Sequence, residues 1–470
     1  MADFTGVTLD DLNNYTKADP TGIIVPDTMV DWPLLDALRP NLNTQEFTAG
    51  TNVEILIEAT RGYTGQAFWE NADLPYPLDT SFVKQLIPLR ELMVTAGLTK
   101  QALDKAIGGT RSWGRAVDVV MRQREEDWNW LLNDVIFGVG NGEKARVVSA
   151  AEVGATTVLT CDNTYYDFGR ENVQHLKVGE RVEVIDVSDT PDACETDTAG
   201  NSSWTVTAVS FGDRNNGAAT TGTVTLGAST GLAAKLQDND VVCRVGGLSS
   251  ALTQPFPQGL MAFCQGNGDH YSGYAALTTF QNLTRSSYDS LKGRVYNADA
   301  FASGGVANTP DDWDLSVISD CFSDVARGSG RGKVDLLLCS QPLAMALQRL
   351  NRSENSPTVL LQSTAGLVSQ SVVGATYGKT FTAPDGREVP IKVVETIPEN
   401  VLYGITTDDL IWHVFGAFEN LGPRLGANGA WMKSPADRKT NFEAPFGGYM
   451  QLTARRCDNM FCLMDLKSNV

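Results

Sequence analysis

The sequence predicts an α+β protein of several domains, one of them an inserted all-β domain. Three observations predict this fold class. At 470 residues, the chain is long for one hydrophobic core, because domains usually hold about 100–150 residues. A long amphipathic helix begins near Ser112, and short β-type runs begin abruptly at about residue 144. From residue 309 onward, helical and strand patterns alternate.

Composition and charge exclude several classes of protein. Hydrophobic residues make up 42% of the chain, but no run approaches the roughly 18 apolar residues of a membrane span. The formal net charge of -19 disfavours tight binding of nucleic acid, although an acidic wall can enclose DNA without holding it. The first residues show no signal-peptide pattern and the eight cysteines form no Cys-x-x-Cys pair, so we expect a cytoplasmic chain with reduced thiols.

The sequence predicts neither a metal site nor a cofactor. The three histidines, His175, His270 and His413, are far apart and lack the spacing that places two ligands on one helix face. The glycine run "GVGNG" at 138–142 closes a helix instead of opening one, so we interpret it as a helix stop before a hairpin.

An extended arm and a long hairpin are predicted for the first hundred residues. Residues 1–50 are acidic and carry four prolines, which forbid long helices. From Asn52, "NVEILIEATRGY" alternates apolar residues at period two, and "SFVKQLIPLRELMVTAG" is a second β-rich run. Two strands alone are marginal in water, so this hairpin needs a partner surface.

The loop between the two runs, "GQAFWENADLPYPLDTSF" at 65–82, combines aromatic, acidic and proline residues. Its prolines and glycine exclude it from a regular core element, so burial within its own subunit is hard to arrange. We expect an intersubunit contact, made by Phe68, Trp69, Glu70, Leu74 and Tyr76. The alternative is that Phe68 and Trp69 fold back over the base of the hairpin.

Later segments supply the helix, the β insertion and the α/β region. The helix, Ser112 to Phe137, has apolar side chains at three- and four-residue spacings. Six β-type runs between 144 and 254 predict a small barrel or sandwich. A further helix is predicted to start at a Thr309 cap, and "GYMQLTARR" and "MFCLMDL" are predicted to pair around a "CDN" turn.

Taken in this order, the segments resemble the major capsid proteins of tailed double-stranded DNA phages, the Hong Kong 97 fold shared with encapsulin shells. "QAFWENADLPYPLDTSFVKQLIPLRELMVTAGLTKQALDKA" resembles the extended loop, or E-loop, and the helix after it resembles the spine helix of the peripheral (P) domain. The resemblance implies seven segments: an N-terminal arm (1–50), the E-loop hairpin (51–98), the P domain with its spine helix (99–143), the inserted β domain (144–254), the P-domain continuation (255–308), the axial (A) domain (309–415) and C-terminal P/A-domain strands (416–470).

The resemblance also implies a function. The protein would be a structural shell subunit, without enzymatic activity, that self-assembles as pentamers and hexamers into an icosahedral virion shell in the host cytoplasm. Its partners would be copies of itself, a portal protein and separate scaffold or decoration proteins, around DNA that it does not read. Some family members crosslink a loop lysine to a neighbour, but residues 65–80 contain no lysine, so no such crosslink is expected here.

Three alternatives stay open at this point. An encapsulin-type compartment would use the same fold to enclose enzyme cargo. A cytoplasmic serine hydrolase would use Ser229, which lies in the Gly-x-Ser-x-Gly pattern "GASTG" at 227–231. A secreted β-rich adhesin would need an export route that the first residues do not show.

The tip hypothesis predicts a specific effect of Trp69→Ala. The free energy of unfolding of the isolated subunit should stay nearly unchanged, because the indole would be covered only in the assembly, whereas shell assembly should be impaired. Thermal unfolding and electron microscopy measure the two effects. Equal damage to the isolated subunit would support the fold-back alternative.

Overall fold

A computed structural model describes the chain over these residues: 42–43, 52–60, 81–99, 111–138, 140, 142–161, 173, 176–186, 193–210, 222–238, 240–246, 256–265, 279–298, 313, 315–329, 333–354, 380–394, 397, 401–420, 432–433, 441–464 and 466. None of the helices in this part of the chain is long and apolar enough to cross a membrane.

The first strands form a hairpin and its continuation into the body. A two-residue strand, β1 (Leu42–Asn43), precedes β2 (Asn52–Thr60), β3 (Ser81–Pro88) and β4 (Arg90–Thr99). Strands β2 and β3 pair antiparallel in a sheet of their own, as the two β-rich runs predict. The ladder stops at Pro88, which has no N–H to donate, and β4 joins a different sheet.

Helix α1 (Arg111–Ile136) is the predicted long helix. Trp128, Leu131 and Val135 are buried along its last turns, as their spacing predicts. The helix ends at Ile136, and the amide of Gly138 donates to the carbonyl of Val135 at 3.0 Å. The "GVGNG" run is therefore a helix stop, as interpreted from the sequence.

Seven strands follow and close into a barrel. They are β5 (Glu143–Val153), β6 (Thr156–Cys161), β7 (Arg181–Asp186), β8 (Ala193–Cys194), β9 (Trp204–Ser210), β10 (Gly222–Leu226) and β11 (Val241–Arg244). Their order is β11-β5-β6-β10-β9-β7, and β7 pairs back to β11, with β8 added beside β7. Six of the strands are the six predicted runs, and their inward side chains form a separate core.

The chain enters and leaves this barrel at one place. The amide of Gly259 donates to the carbonyl of Gly138 at 2.8 Å, and the amide of Phe256 donates to the carbonyl of Gly140 at 3.0 Å. A Cβ on Gly259 would lie 2.0 Å from the carbonyl oxygen of Ile136, so only glycine allows this close approach. Helix α2 (Leu260–Cys264) begins directly after it and is completely buried.

The remaining elements build two larger sheets, a two-stranded hairpin of β12 and β13, and the helices. In chain order they are β12 (Thr279–Phe280), β13 (Leu283–Thr284), β14 (Arg294–Asn297), α3 (Leu315–Ser329), β15 (Leu336–Cys339), α4 (Gln341–Glu354), β16 (Thr380–Thr382), β17 (Glu388–Val393), β18 (Leu402–Ile405), β19 (Leu410–Asn420), β20 (Met432–Lys433), β21 (Asn441–Ala454) and β22 (Phe461–Met464).

A six-stranded mixed sheet, in the order β14-β22-β18-β15-β17-β16, separates two hydrophobic cores. In β15, Leu336 and Leu338 face the core that contains α1, while Leu337 and Cys339 face the core of α3 and α4. Successive side chains of a strand point to opposite faces, so an uninterrupted apolar run is buried on both. The fold is thus mixed α and β, in agreement with the predicted class.

Strand β21 is the centre of the remaining sheet, ordered β1-β19-β21-β20, with β4 also paired to β21. The predicted hairpin between "GYMQLTARR" and "MFCLMDL" is wrong, because β22 pairs with β14 and β18 in the other sheet. Alternation shows that both runs are strands but does not choose their partners.

The helix predicted from a Thr309 cap does not run without a break, because Trp313 lies outside helix α3, which begins at Leu315. Thr309 itself lies outside the described residues. Trp313 is buried in the same core as Leu315.

The buried His413 of β19 predicts a pH dependence of stability. Burial lowers its pKa to about 4 from 6.5, and its Nε2 lies 2.9 Å from Thr453 Oγ1. Below pH 6.5 the unfolded chain takes up a proton that the folded chain accepts only near pH 4, so stability falls as the pH drops through this window.

We therefore expect acidification from pH 7 to pH 4 to cost the native state about 3 kcal/mol at this residue. Urea unfolding of the wild type and of His413→Gln across this range measures the difference. A loss of stability that is identical in the two proteins would contradict the assignment.

Candidate subunit interface

The face of the β2–β3 hairpin that points away from the body is apolar at its centre. Leu56 is 62% exposed, Phe82 is 59% exposed and Leu86 is 39% exposed. Register places Leu56 opposite Lys84, and Leu86 opposite Glu54. Diagonal neighbours on one face of a strand pair are within reach of long side chains, so the three apolar residues form one cluster.

Two polar members of this face form an ion pair. Lys84 Nζ lies 2.9 Å from Glu54 Oε2, and both side chains are exposed. Such an exposed pair stabilises the fold by about 0–1 kcal/mol at most. We call Glu54, Leu56, Phe82, Lys84 and Leu86 the outer patch.

The opposite face of the hairpin anchors it to the body. Ile57 is 6% exposed, Ile87 is 1% exposed and Gln85 is fully buried. Ile57 belongs to the core around α1, and Ile55 packs against that core. The hairpin therefore has one face buried within its own subunit and a second apolar face that this subunit leaves exposed.

All five predicted contact residues, Phe68, Trp69, Glu70, Leu74 and Tyr76, lie outside the described residues, so their role stays a prediction. The outer patch was missed by sequence reasoning. The signal that could have revealed it is that "EILIE" and "SFVKQLI" carry apolar residues at both odd and even positions, and therefore on both faces of the hairpin. A hairpin that is buried on only one face needs apolar residues only at every second position of each strand.

Ser229 has a structural role that contradicts the hydrolase alternative. Its side chain is fully buried in the turn after β10. Its Oγ donates to the carbonyl of Leu226 at 3.0 Å and accepts from the amide of Thr157 at 2.8 Å. His413, the histidine within the described residues, lies in another sheet beside Thr453. The Ser229 hydroxyl is buried in a barrel turn and acts as both donor and acceptor in structural hydrogen bonds, so it is not an activated nucleophile.

Metal-binding groups are also absent from the described part of the chain. Within it, no three His, Cys, Asp or Glu side chains are grouped so that they could hold an ion.

A buried ionic network joins the barrel to helix α1. Lys144 of β5 is completely buried, with its Nζ 2.5 Å from Glu180 Oε1 and 3.9 Å from Asp134 Oδ2 of α1. Arg244 of β11 lies 3.0 Å from the same Asp134 oxygen. Beside them, Lys177 Nζ lies 3.9 Å from the centre of the Trp130 ring. Burial lowers the pKa of Lys144, and the neighbouring Arg244 lowers it further, against the opposite pull of Glu180 and Asp134.

Comparisons with known proteins find no match in sequence and only low similarity to solved structures. No protein-family model matches the chain, and no curated protein matches it. Among solved structures, the chain is similar to the capsid asymmetric unit of cyanophage A-1(L), with a TM-score of 0.48 and 10% identity over 95% of this chain and 96% of that one.

Two further solved structures extend the comparison. Mycobacterium phage Ogopogo matches with a TM-score of 0.42 and 10% identity, over 96% of this chain and 98% of that one. The capsid of Myoviridae phage XM1 matches with a TM-score of 0.40 and 8% identity, over 95% of this chain and 96% of that one.

The network predicts that Glu180→Gln destabilises the subunit by about 3 kcal/mol, because it removes the charge closest to a fully buried ammonium. Adding Lys144→Met should restore most of the loss, since the double variant no longer buries that ammonium. Urea unfolding of the two single variants and the double variant measures the coupling. Simple addition of the single effects would contradict a buried Lys144–Glu180 pair.

Proposed function

We propose that this chain is the major capsid protein of a tailed double-stranded DNA phage. Copies of it would assemble as pentamers and hexamers into the icosahedral shell around the genome. The observation that carries the proposal is the outer patch, a second apolar face on a hairpin that its own subunit covers on one side only.

The outer patch supports assembly because apolar surface is stabilised by leaving water. Burial contributes about 25 cal/mol for each Å² of apolar surface, and fully burying a Leu or Phe side chain contributes about 1.5–3 kcal/mol. Such a contact is weak against the cost of association for one pair of molecules. In a closed shell every subunit makes the same contact, so many weak contacts act together.

Charge favours a second copy of the chain as the partner of this patch. The chain has a net charge of -19, so two copies repel each other wherever acidic surfaces meet. The outer patch carries one cation and one anion 2.9 Å apart. The charge of Glu54 is thus paired within the chain, and a second copy can meet Leu56, Phe82 and Leu86 beside it through apolar contacts.

The rest of the fold suits an arm-and-body shell subunit. Its arm would be residues 1–50, of which β1 pairs with β19 in parallel at Leu42 and Trp412. The predicted tip residues, Phe68, Trp69, Glu70, Leu74 and Tyr76, would extend the contact beyond the outer patch. The segment boundaries given above, and the inserted nature of the barrel, are part of the proposal. Support for an insertion comes from the hydrogen bonds of Gly259 to Gly138 and of Phe256 to Gly140, where the chain leaves and rejoins the body.

The partners and location follow from the proposed role. The protein would reside in the virion, assembled in the host cytoplasm with a portal protein and separate scaffold or decoration proteins. It would enclose DNA without reading its sequence, and it would have no enzymatic activity.

The proposal predicts that Leu56→Ser with Phe82→Ser prevents or weakens shell formation. Stability of the isolated subunit should change by about 1 kcal/mol or less, because both side chains are already exposed. Val178→Ser, which alters a 65% exposed side chain on the barrel, is the matched control. Sedimentation and negative-stain microscopy of each protein measure particle formation.

Two results would contradict the proposal. One is a wild-type chain that forms no closed particle in its native source. The other is a double variant that assembles as well as the Val178→Ser control. Particles filled with a protein cargo and free of nucleic acid would instead identify an encapsulin-type compartment.

A further inference from the structure

The turn between β12 and β13 has an unusual backbone. Its two central residues, Gln281 and Asn282, have φ angles of 48° and 64°. Positive φ at both positions is typical of a type I′ hairpin turn, which favours Asn and Gly. Gln281 is neither, so its conformation carries strain that the surrounding contacts must hold in place.

Both side chains of this turn reach other parts of the fold. Gln85 Nε2 of β3 donates to Gln281 Oε1 at 2.6 Å, and Gln281 Nε2 donates to the carbonyl of Leu452 in β21 at 3.4 Å. Asn282 Nδ2 donates to the carbonyl of Leu86 at 2.6 Å. Two adjacent residues therefore hold β3 of the hairpin and contact the central strand of the neighbouring sheet.

The turn itself is fixed to the core. Phe280, directly before it, is completely buried and meets Phe263 of α2 edge to face, with ring centres 5.4 Å apart. The guanidinium of the buried Arg285 lies 4.5 Å from the centre of the same Phe280 ring. Because the residue before it is packed into the core, the turn provides a rigid attachment point.

The hairpin needs such an attachment because its own ladder does not connect it to the body. Within the described residues, β2 and β3 form a sheet by themselves, and the chain joins the next sheet only after Pro88. Apolar contacts of Ile57 and Ile87 attach the hairpin to the body, but hydrophobic contacts are non-directional and do not fix the angle between the two. Hydrogen bonds help to fix this angle, because they weaken steeply when donor and acceptor are poorly aligned.

Gln85 makes the attachment specific to one position. Its side chain is fully buried, and among the described residues its Oε1 has no hydrogen-bond partner. The bond from its Nε2 to Gln281 is thus the hydrogen bond that this buried amide makes. If the hairpin tilted away from the turn, this amide would lose its partner while still shielded from water, which is unfavourable.

We propose that the Gln281–Asn282 turn is a clamp that sets the angle between the hairpin and the body. The clamp holds the outer patch in the orientation that a second copy meets. Its effect on assembly rests on the proposed function, whereas its effect on the hairpin does not.

Amide hydrogen exchange on the isolated subunit tests the clamp. Asn282→Gly and Asn282→Asp both remove the donor to the Leu86 carbonyl, and both residues tolerate positive φ. We expect exchange of the amides of residues 81–87 to become at least about fivefold faster in each variant, as expected for the loss of one hydrogen bond. Asn201→Gly is the control, because it removes an Asn donor to Asp197 in the segment between β8 and β9.

Gln85→Leu provides a second variant, since it removes the buried amide and keeps a similar volume. It too should accelerate amide exchange in residues 81–87 relative to the Asn201→Gly control. Unchanged exchange in the hairpin of both Asn282 variants and of Gln85→Leu would overturn the clamp.

Assembly is measured separately on the same proteins. Faster exchange together with slower shell formation supports the clamp as a positioning element. Faster exchange with unchanged shell formation overturns its role in assembly. A wild-type chain that forms no shell contradicts the proposed function, while the exchange result still decides whether the clamp exists.

Discussion

Burial of the six-stranded sheet on both faces is the constraint on which the rest of the structure depends. In β15, Leu336 and Leu338 belong to one core, while Leu337 and Cys339 belong to the other. Two layers must therefore cover this sheet, with α1 on one side and α3 and α4 on the other. Neither side can be removed without exposing apolar residues of the shared strands, which ties the segments on the two sides into one body.

The hairpin and the barrel depend on this body in different ways. The barrel closes through the pairing of β7 with β11 and has a hydrophobic core of its own. Polar contacts involving Asp134, Lys144 and Glu180 connect it to α1. The hairpin has no core of its own. Its inner face is stabilised by packing against the body. Its outer patch leaves Leu56 and Phe82 exposed to water, which is unfavourable for apolar side chains.

The sequence predicts a hairpin that needs a partner surface, but it does not predict which residues of the hairpin stay exposed. The sequence indicates a hairpin that needs a partner, because its two runs are β-rich and surround a long tip. It does not indicate which face stays exposed, since that depends on the underlying body. Gln85 illustrates the limit. A polar residue in a strand is usually expected on the solvated face, yet Gln85 is fully buried. Its buried amide donates a hydrogen bond to Gln281, which lies 196 residues away in the sequence.

The sequence by itself determined the elements whose pattern is local, namely α1, the six barrel strands and the two hairpin strands. Period and turn residues report which side of an element is buried, and they act over a few residues. Tertiary structure alone decided the partners. It separated β21 from β22, placed Trp313 outside α3 and buried Ser229 inside a turn. The physical reason is that pairing and burial are contacts between distant segments, and local alternation is equally satisfied by several such partners.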